Sequence, residues 1–136
     1  MGEVIKQARL RVKGLAGVSE AFRIPRVRTR SIFPEWVHRD KQWLTCLLIL
    51  DSPALQSKEI VRHYVDFERQ TIRVRELLEQ SAAWSSGERV LVQVAIDFFN
   101  GDGGASFKDL LDRLDGPNYH LVLWALGLYR DDWQRP

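Results

Sequence analysis

Cysteine is almost absent. Cys46 stands alone among 136 residues, so no intramolecular disulfide can form and no zinc site can be built on thiolates. It lies in the apolar run Leu44–Leu50, which makes a buried, inert thiol the expectation. Long hydrophobic runs are also missing. The longest, Trp43–Leu50 and Leu121–Leu128, fall far short of the roughly 20 residues a membrane span needs. Charges interrupt the N-terminus every few residues and leave no apolar core for a secretion signal. A cytoplasmic protein without a membrane partner is therefore expected. Histidine is sparse: His38, His63 and His120. Glu59 and His63 have the i, i+4 spacing of a helical metal pair, but no third ligand accompanies them, and no metal is expected. There is no Gly-x-Ser-x-Gly elbow, no phosphate loop and no dinucleotide fingerprint. No catalytic residue and no cofactor are expected, and an enzyme is the least favoured class.

What is present is ordinary in amount and unusual in arrangement. Apolar content of 45% with 28% charged residues fits a globular chain, and the length suits one domain that buries roughly two thirds of its unfolded surface. The net charge of +2 conceals a segregation. Residues 1–30 carry Lys6, Arg9, Arg11, Lys13, Arg23, Arg26, Arg28 and Arg30 against Glu3 and Glu20 alone, so an arm of net +6 precedes a body of net −4. Such an arm can bind a polyanion, an acidic partner or its own body. Arg9, Arg11, Lys13, Arg23, Arg26, Arg28 and Arg30 are the candidate residues for binding a partner or nucleic acid.

The periodicity changes with the charge. Arg9, Arg11 and Lys13 interleave with Leu10 and Val12, and Arg26, Arg28 and Arg30 with Val27 and Thr29. That alternation indicates extended chain or a β-ribbon; a flexible arm is the other reading of the same charge density. Beyond Pro34 the pattern becomes helical. Asp40 precedes an apolar helix that stops at Asp51–Pro53. Ser57 is placed to cap a helix with Ile60, Val61, Tyr64 and Val65 on one face, and a further helix spans about 73–80. Ser85–Glu88 forms a capping box for a helix to about Phe99 whose only polar stripe is Arg89, Gln93 and Asp97. A helix apolar on nearly all sides belongs at the centre. Ser106 caps a short helix with Phe107, Leu110, Leu111 and Leu114 on one face. Gly116 then serves as a C′ glycine and Pro117 opens the last helix, 118–129. The expected architecture is all-α: five to six short helices around a central apolar helix (about 86–99), with an extended or β-ribbon basic arm. The expected division is 1–34 for the arm and 35–136 for the helical domain.

Several short strings form a recognisable order. They are Tyr64–Glu68, Ile72, Trp84–Ser86, Arg89, Ala95–Gly101 and Leu114–Asp115, with Asn118, Ala125 and Leu128. The order resembles a family of small, uncharacterised bacterial proteins, a domain of unknown function met in Firmicutes and in mobile-element neighbourhoods. Its pattern runs Asp-Phe-Glu, then Trp with Ser/Thr-Ser, then a helix end of the form Ala-x-x-Leu-Phe-Asn. The resemblance covers residues 39–130. It implies an all-helical fold and brings no activity, substrate or catalytic residue. The basic arm departs from the family, which starts near the first helix, so the arm is the place for a function private to this protein.

Two motifs invite sharper readings. Residues 100–109 overlay a calcium loop, with Asn100, Asp102, Gly103, Ser106 and Asp109 at positions 3, 5, 6, 9 and 12. Position 1 is Phe98, which offers no oxygen, and Asp97 is one residue out of register, so a glycine-rich helix joint is the expectation. Residues 108–129 have the outline of a helix-turn-helix, but Leu121–Leu126 presents no polar side chain to a base edge, and a buried hairpin is expected. Asp66 and Glu68 are expected two apart on a helix in a structural role, pairing with Arg89 or capping Trp84–Ser86. Two functions then compete. The favoured one is a non-enzymatic interaction or assembly module with a protein partner or self-association; the other is sequence-independent nucleic-acid binding through the arm.

Overall fold

Asp40 starts the first long helix. Its carboxylate accepts hydrogen bonds from the backbone N–H groups of Gln42 (3.1 Å) and Trp43 (3.2 Å), two of the donors a helix start leaves unpaired. The computed structural model describes residues 32–130. Their order is α1 (Glu35–His38), α2 (Lys41–Leu50), a 3₁₀ turn (Gln56–Lys58), α3 (Ile60–Tyr64), β1 (Val65–Asp66), β2 (Thr71–Ile72), α4 (Val74–Ser81), α5 (Ser86–Asn100), α6 (Phe107–Arg113) and α7 (Gly116–Arg130). The described residues are thus mostly helical. The seven α-helices exceed the expected five to six because the single turn α1 is too short to show a period.

The core forms where α2 lies across α5 and α7, with α1 against α2 and α4 against α5. Every residue from Trp43 to Leu50 on α2 is buried, including Thr45 and Cys46. On α5, Val90, Leu91, Val92, Val94, Ala95 and Ile96 are buried, while Phe98 and Phe99 are only half-buried. The central helix is therefore shared: α5 holds the middle as expected, but α2 is the more completely enclosed. The capping box forms as the sequence requires. Ser85 Oγ accepts from the Glu88 N–H at 3.3 Å, and Glu88 Oε1 accepts from the Ser85 N–H at 3.1 Å. Phe33, on the N-terminal side of Pro34, is also part of the core.

Three local expectations are corrected. Asp66 lies on no helix: α3 stops at Tyr64, and Val65 pairs with Ile72 and Asp66 with Thr71 in an antiparallel ribbon. The β-branched residues favour extended backbone, and Phe67 at the turn packs against Phe33, Trp36 and Trp43, with ring centroids 6.3, 6.4 and 6.5 Å away. Ser57 does not cap α3; it sits in the 3₁₀ turn, and Glu59 begins the helix from the left-handed region at φ 49°. Gly116 is the first helical residue of α7, without the positive φ of a C′ glycine, and Asp115 caps that helix by accepting from the Asn118 N–H at 2.9 Å.

Candidate functional site

Asp97 decides the loop between α5 and α6. One carboxylate oxygen accepts from the N–H groups of Gly103 (2.8 Å) and Gly104 (3.2 Å), and the other from Ala105 (3.0 Å). Three backbone donors six to eight residues downstream thus converge on one carboxylate. Gly101 turns the chain at φ 82°. Gly103 is buried so closely against α5 that a Cβ there would lie 1.8 Å from the Gln93 carbonyl oxygen. Three other residues of the calcium-like pattern have their oxygens engaged as well, and the carboxylate of the fourth, Asp102, lies exposed on the loop. Asn100 accepts from the Asp102 N–H (2.9 Å), Ser106 Oγ caps α6 through the Asp109 N–H (3.1 Å), and Asp109 pairs with Arg113 (3.2 Å). The loop is a carboxylate-locked helix joint. Among the described residues, no three His, Cys, Asp or Glu side chains gather as a ligand set.

The lock sets the position of α6, and α6 is the anomaly of the surface. Phe107, Leu110 and Leu111, continued by Leu114 at the C-cap, form the apolar face of an amphipathic helix, yet no residue of α6 is buried. Leu110 and Leu114 are half-buried, while Phe107 is 85% exposed and Leu111 66%. Beside them runs a groove of about 420 Å³ between α5, α6 and α7, walled by Val94, Phe98, Leu110, Val122, Leu126 and Tyr129. Leu126 on its wall is 45% exposed. Phe98 meets Tyr129 at 5.5 Å between ring centroids, and Lys41 Nζ lies 4.6 Å over the same tyrosine ring, so a cation flanks one wall. The polar side of α6 is internally neutral: Lys108 pairs with Asp112 at 2.8 Å and Arg113 with Asp109 at 3.2 Å.

The other candidates resolve as structure. On α7, Leu121, Val122, Trp124, Ala125 and Leu128 are buried, so this helix cannot lie in a DNA groove. Glu59 lies 3.6 Å from His63 and 3.5 Å from Arg62, a half-exposed charge cluster on α3. Asp66 accepts from the Arg69 N–H (3.1 Å) within its own turn; the carboxylate that serves the Ser85 turn is Glu88, which also faces Lys58 at 4.0 Å. Full burial pushes the Cys46 thiol far above its ordinary pKa, so it is held protonated and unreactive. The candidate binding residues Arg9, Arg11, Lys13, Arg23, Arg26, Arg28 and Arg30 lie outside the described residues. Among the described residues, no helix is long and apolar enough to cross a membrane.

No family model, no curated protein and no solved structure matches the chain. The site therefore rests on its own geometry. The 107/110/111/114 stripe is legible in the sequence as one apolar face, but the buried hairpin expected over 108–129 holds only for α7, because no residue of α6 is buried. The groove beside it has no signature in the sequence, because its walls come from three helices whose arrangement no local pattern encodes.

Proposed function

We propose that this protein is a non-enzymatic protein-interaction or assembly module. One observation carries the reading: α6 presents an apolar stripe that the fold leaves half uncovered, beside a groove lined mainly by apolar side chains. Large exposed apolar side chains that are contiguous with a groove are the mark of a surface meant for contact, whereas scattered ones are not. In this reading the body is cytoplasmic, and the resemblance to the bacterial family over residues 39–130 supplies a helical scaffold without chemistry.

Charge segregation favours a second reading, sequence-independent nucleic-acid binding through Arg9, Arg11, Lys13, Arg23, Arg26, Arg28 and Arg30. The net −4 of residues 31–136 opposes a broad footprint on phosphate, which ranks this reading second. Retardation of duplex DNA over a salt series separates the two. Arm binding to about six phosphates gives a log–log slope of roughly −5, flattened by about three when Arg26, Arg28 and Arg30 are replaced by Ala. The interaction module retards nothing at physiological salt. Tight, steeply salt-dependent binding to unrelated sequences reverses the order of the two readings.

A further inference from the structure

We infer that the partner for the α5–α6–α7 groove is a second copy of this chain, held in a two-fold contact in which each copy's Phe107 enters the other's groove. The inference rests on the interaction-module reading and gives it a partner.

Three observations select a second copy. A projecting aromatic and a hollow large enough for it occur on the same face: Phe107 stands 85% exposed on the first turn of α6, and it borders a groove of about 420 Å³. A knob and a hole on one patch are what an isologous, self-complementary contact requires, because the two-fold axis brings each knob to the other's hole. The second observation is charge. Lys108, Asp109, Asp112 and Arg113 pair off along α6 and leave the helix with no net charge. A two-fold contact sets identical surfaces face to face, so a helix with a charge of one sign would repel its copy, and this one does not. A strongly acidic or basic partner, by contrast, finds no complement on α6. The third is area. Phe107, Leu111 and Leu126 are exposed on each copy, and at roughly 150–250 Å² per aromatic, with the groove walls added, the pair reaches the ~1,000 Å² of a weak specific interface.

Sedimentation equilibrium of the full 136-residue chain over a micromolar concentration series tests this. The wild type is expected to approach twice its 15.8 kDa mass as concentration rises. Phe107→Asp and Leu111→Asp place a carboxylate in the contact and are expected to remain monomeric throughout. Each change occurs twice in a two-fold pair, and at roughly 30-fold per hot-spot site dimerisation weakens by about 1,000-fold. Both positions are exposed, so melting temperatures measured at a concentration where every protein is monomeric should match the parent. The triple replacement of Arg26, Arg28 and Arg30 by Ala is expected to dimerise like the wild type. A wild-type dimer that survives Phe107→Asp and Leu111→Asp overturns this interface and leaves the assembly reading standing. A wild type that stays monomeric and retards no DNA overturns the second copy while the wider interaction reading stands; a monomer with steeply salt-dependent DNA binding overturns both.

Discussion

Replacing Gly103 with alanine should disrupt the molecule more than any other single methyl group added to its surface loops. A Cβ built there meets backbone, not a side chain that can swing away: the Gln93 carbonyl oxygen at 1.8 Å and its carbon at 2.8 Å, with the Asp97 Cγ at 2.9 Å. α5 is continuous through Gln93, so the loop must lift away from it. Lifting breaks the three N–H donations to Asp97 at 2.8, 3.2 and 3.0 Å. Two of these are partly buried bonds to a charged acceptor, at about 1.5 kcal/mol each, and the exposed third adds roughly 0.5 kcal/mol. With residual strain the loss comes to about 3–5 kcal/mol, the upper range for a single substitution. At about 4 °C per kcal/mol for a domain of this size, the melting temperature should fall by roughly 12–20 °C, followed by far-ultraviolet circular dichroism. Gly101→Ala is the control: nothing lies within 4 Å of its Cβ, and only the φ of 82° is strained, for about 1–2 kcal/mol. A Gly103→Ala protein that melts within two or three degrees of the parent, or no lower than Gly101→Ala, refutes the account of the loop as locked onto α5.

Leu91→Ala should cost about 2–5 kcal/mol in denaturant unfolding, because Leu91 is fully enclosed on α5, whereas half-buried Phe98→Ala at the groove wall should cost about 1–2 kcal/mol. An equal loss at the two positions contradicts the graded burial along α5. Millimolar calcium should leave the melting temperature within about 1 °C, since Asp97, Asn100, Ser106 and Asp109 already serve backbone donors or Arg113 and Phe98 supplies no oxygen. Stabilisation by several degrees that a chelator reverses shows that these oxygens exchange partners for the ion.

The local signals in this chain are strong, and they determine its helices. Asp40, Ser85 with Glu88, and Ser106 each open a helix where the sequence places one, because a cap acts on N–H groups two or three residues away and needs nothing from the rest of the fold. The apolar runs of α2 and α5 likewise dictate that both are buried, since Trp43–Leu50 offers water no charged side chain and α5 between its ends offers only the narrow stripe of Arg89, Gln93 and Asp97. The charge split at residue 30 is also legible without any structure. Tertiary structure decides whatever depends on a distant neighbour. Residues 65–72 form a ribbon and not a helix end because Phe67 finds the rings of Phe33, Trp36 and Trp43, none of them closer than 24 positions in the chain. Asp97 looks like a misplaced calcium ligand until the loop returns its N–H groups to it. The stripe on α6 predicts an apolar face, but periodicity records only that a face avoids water and not what covers it. Packing leaves Phe107 and Leu111 uncovered, and this separates α6 from the core helices.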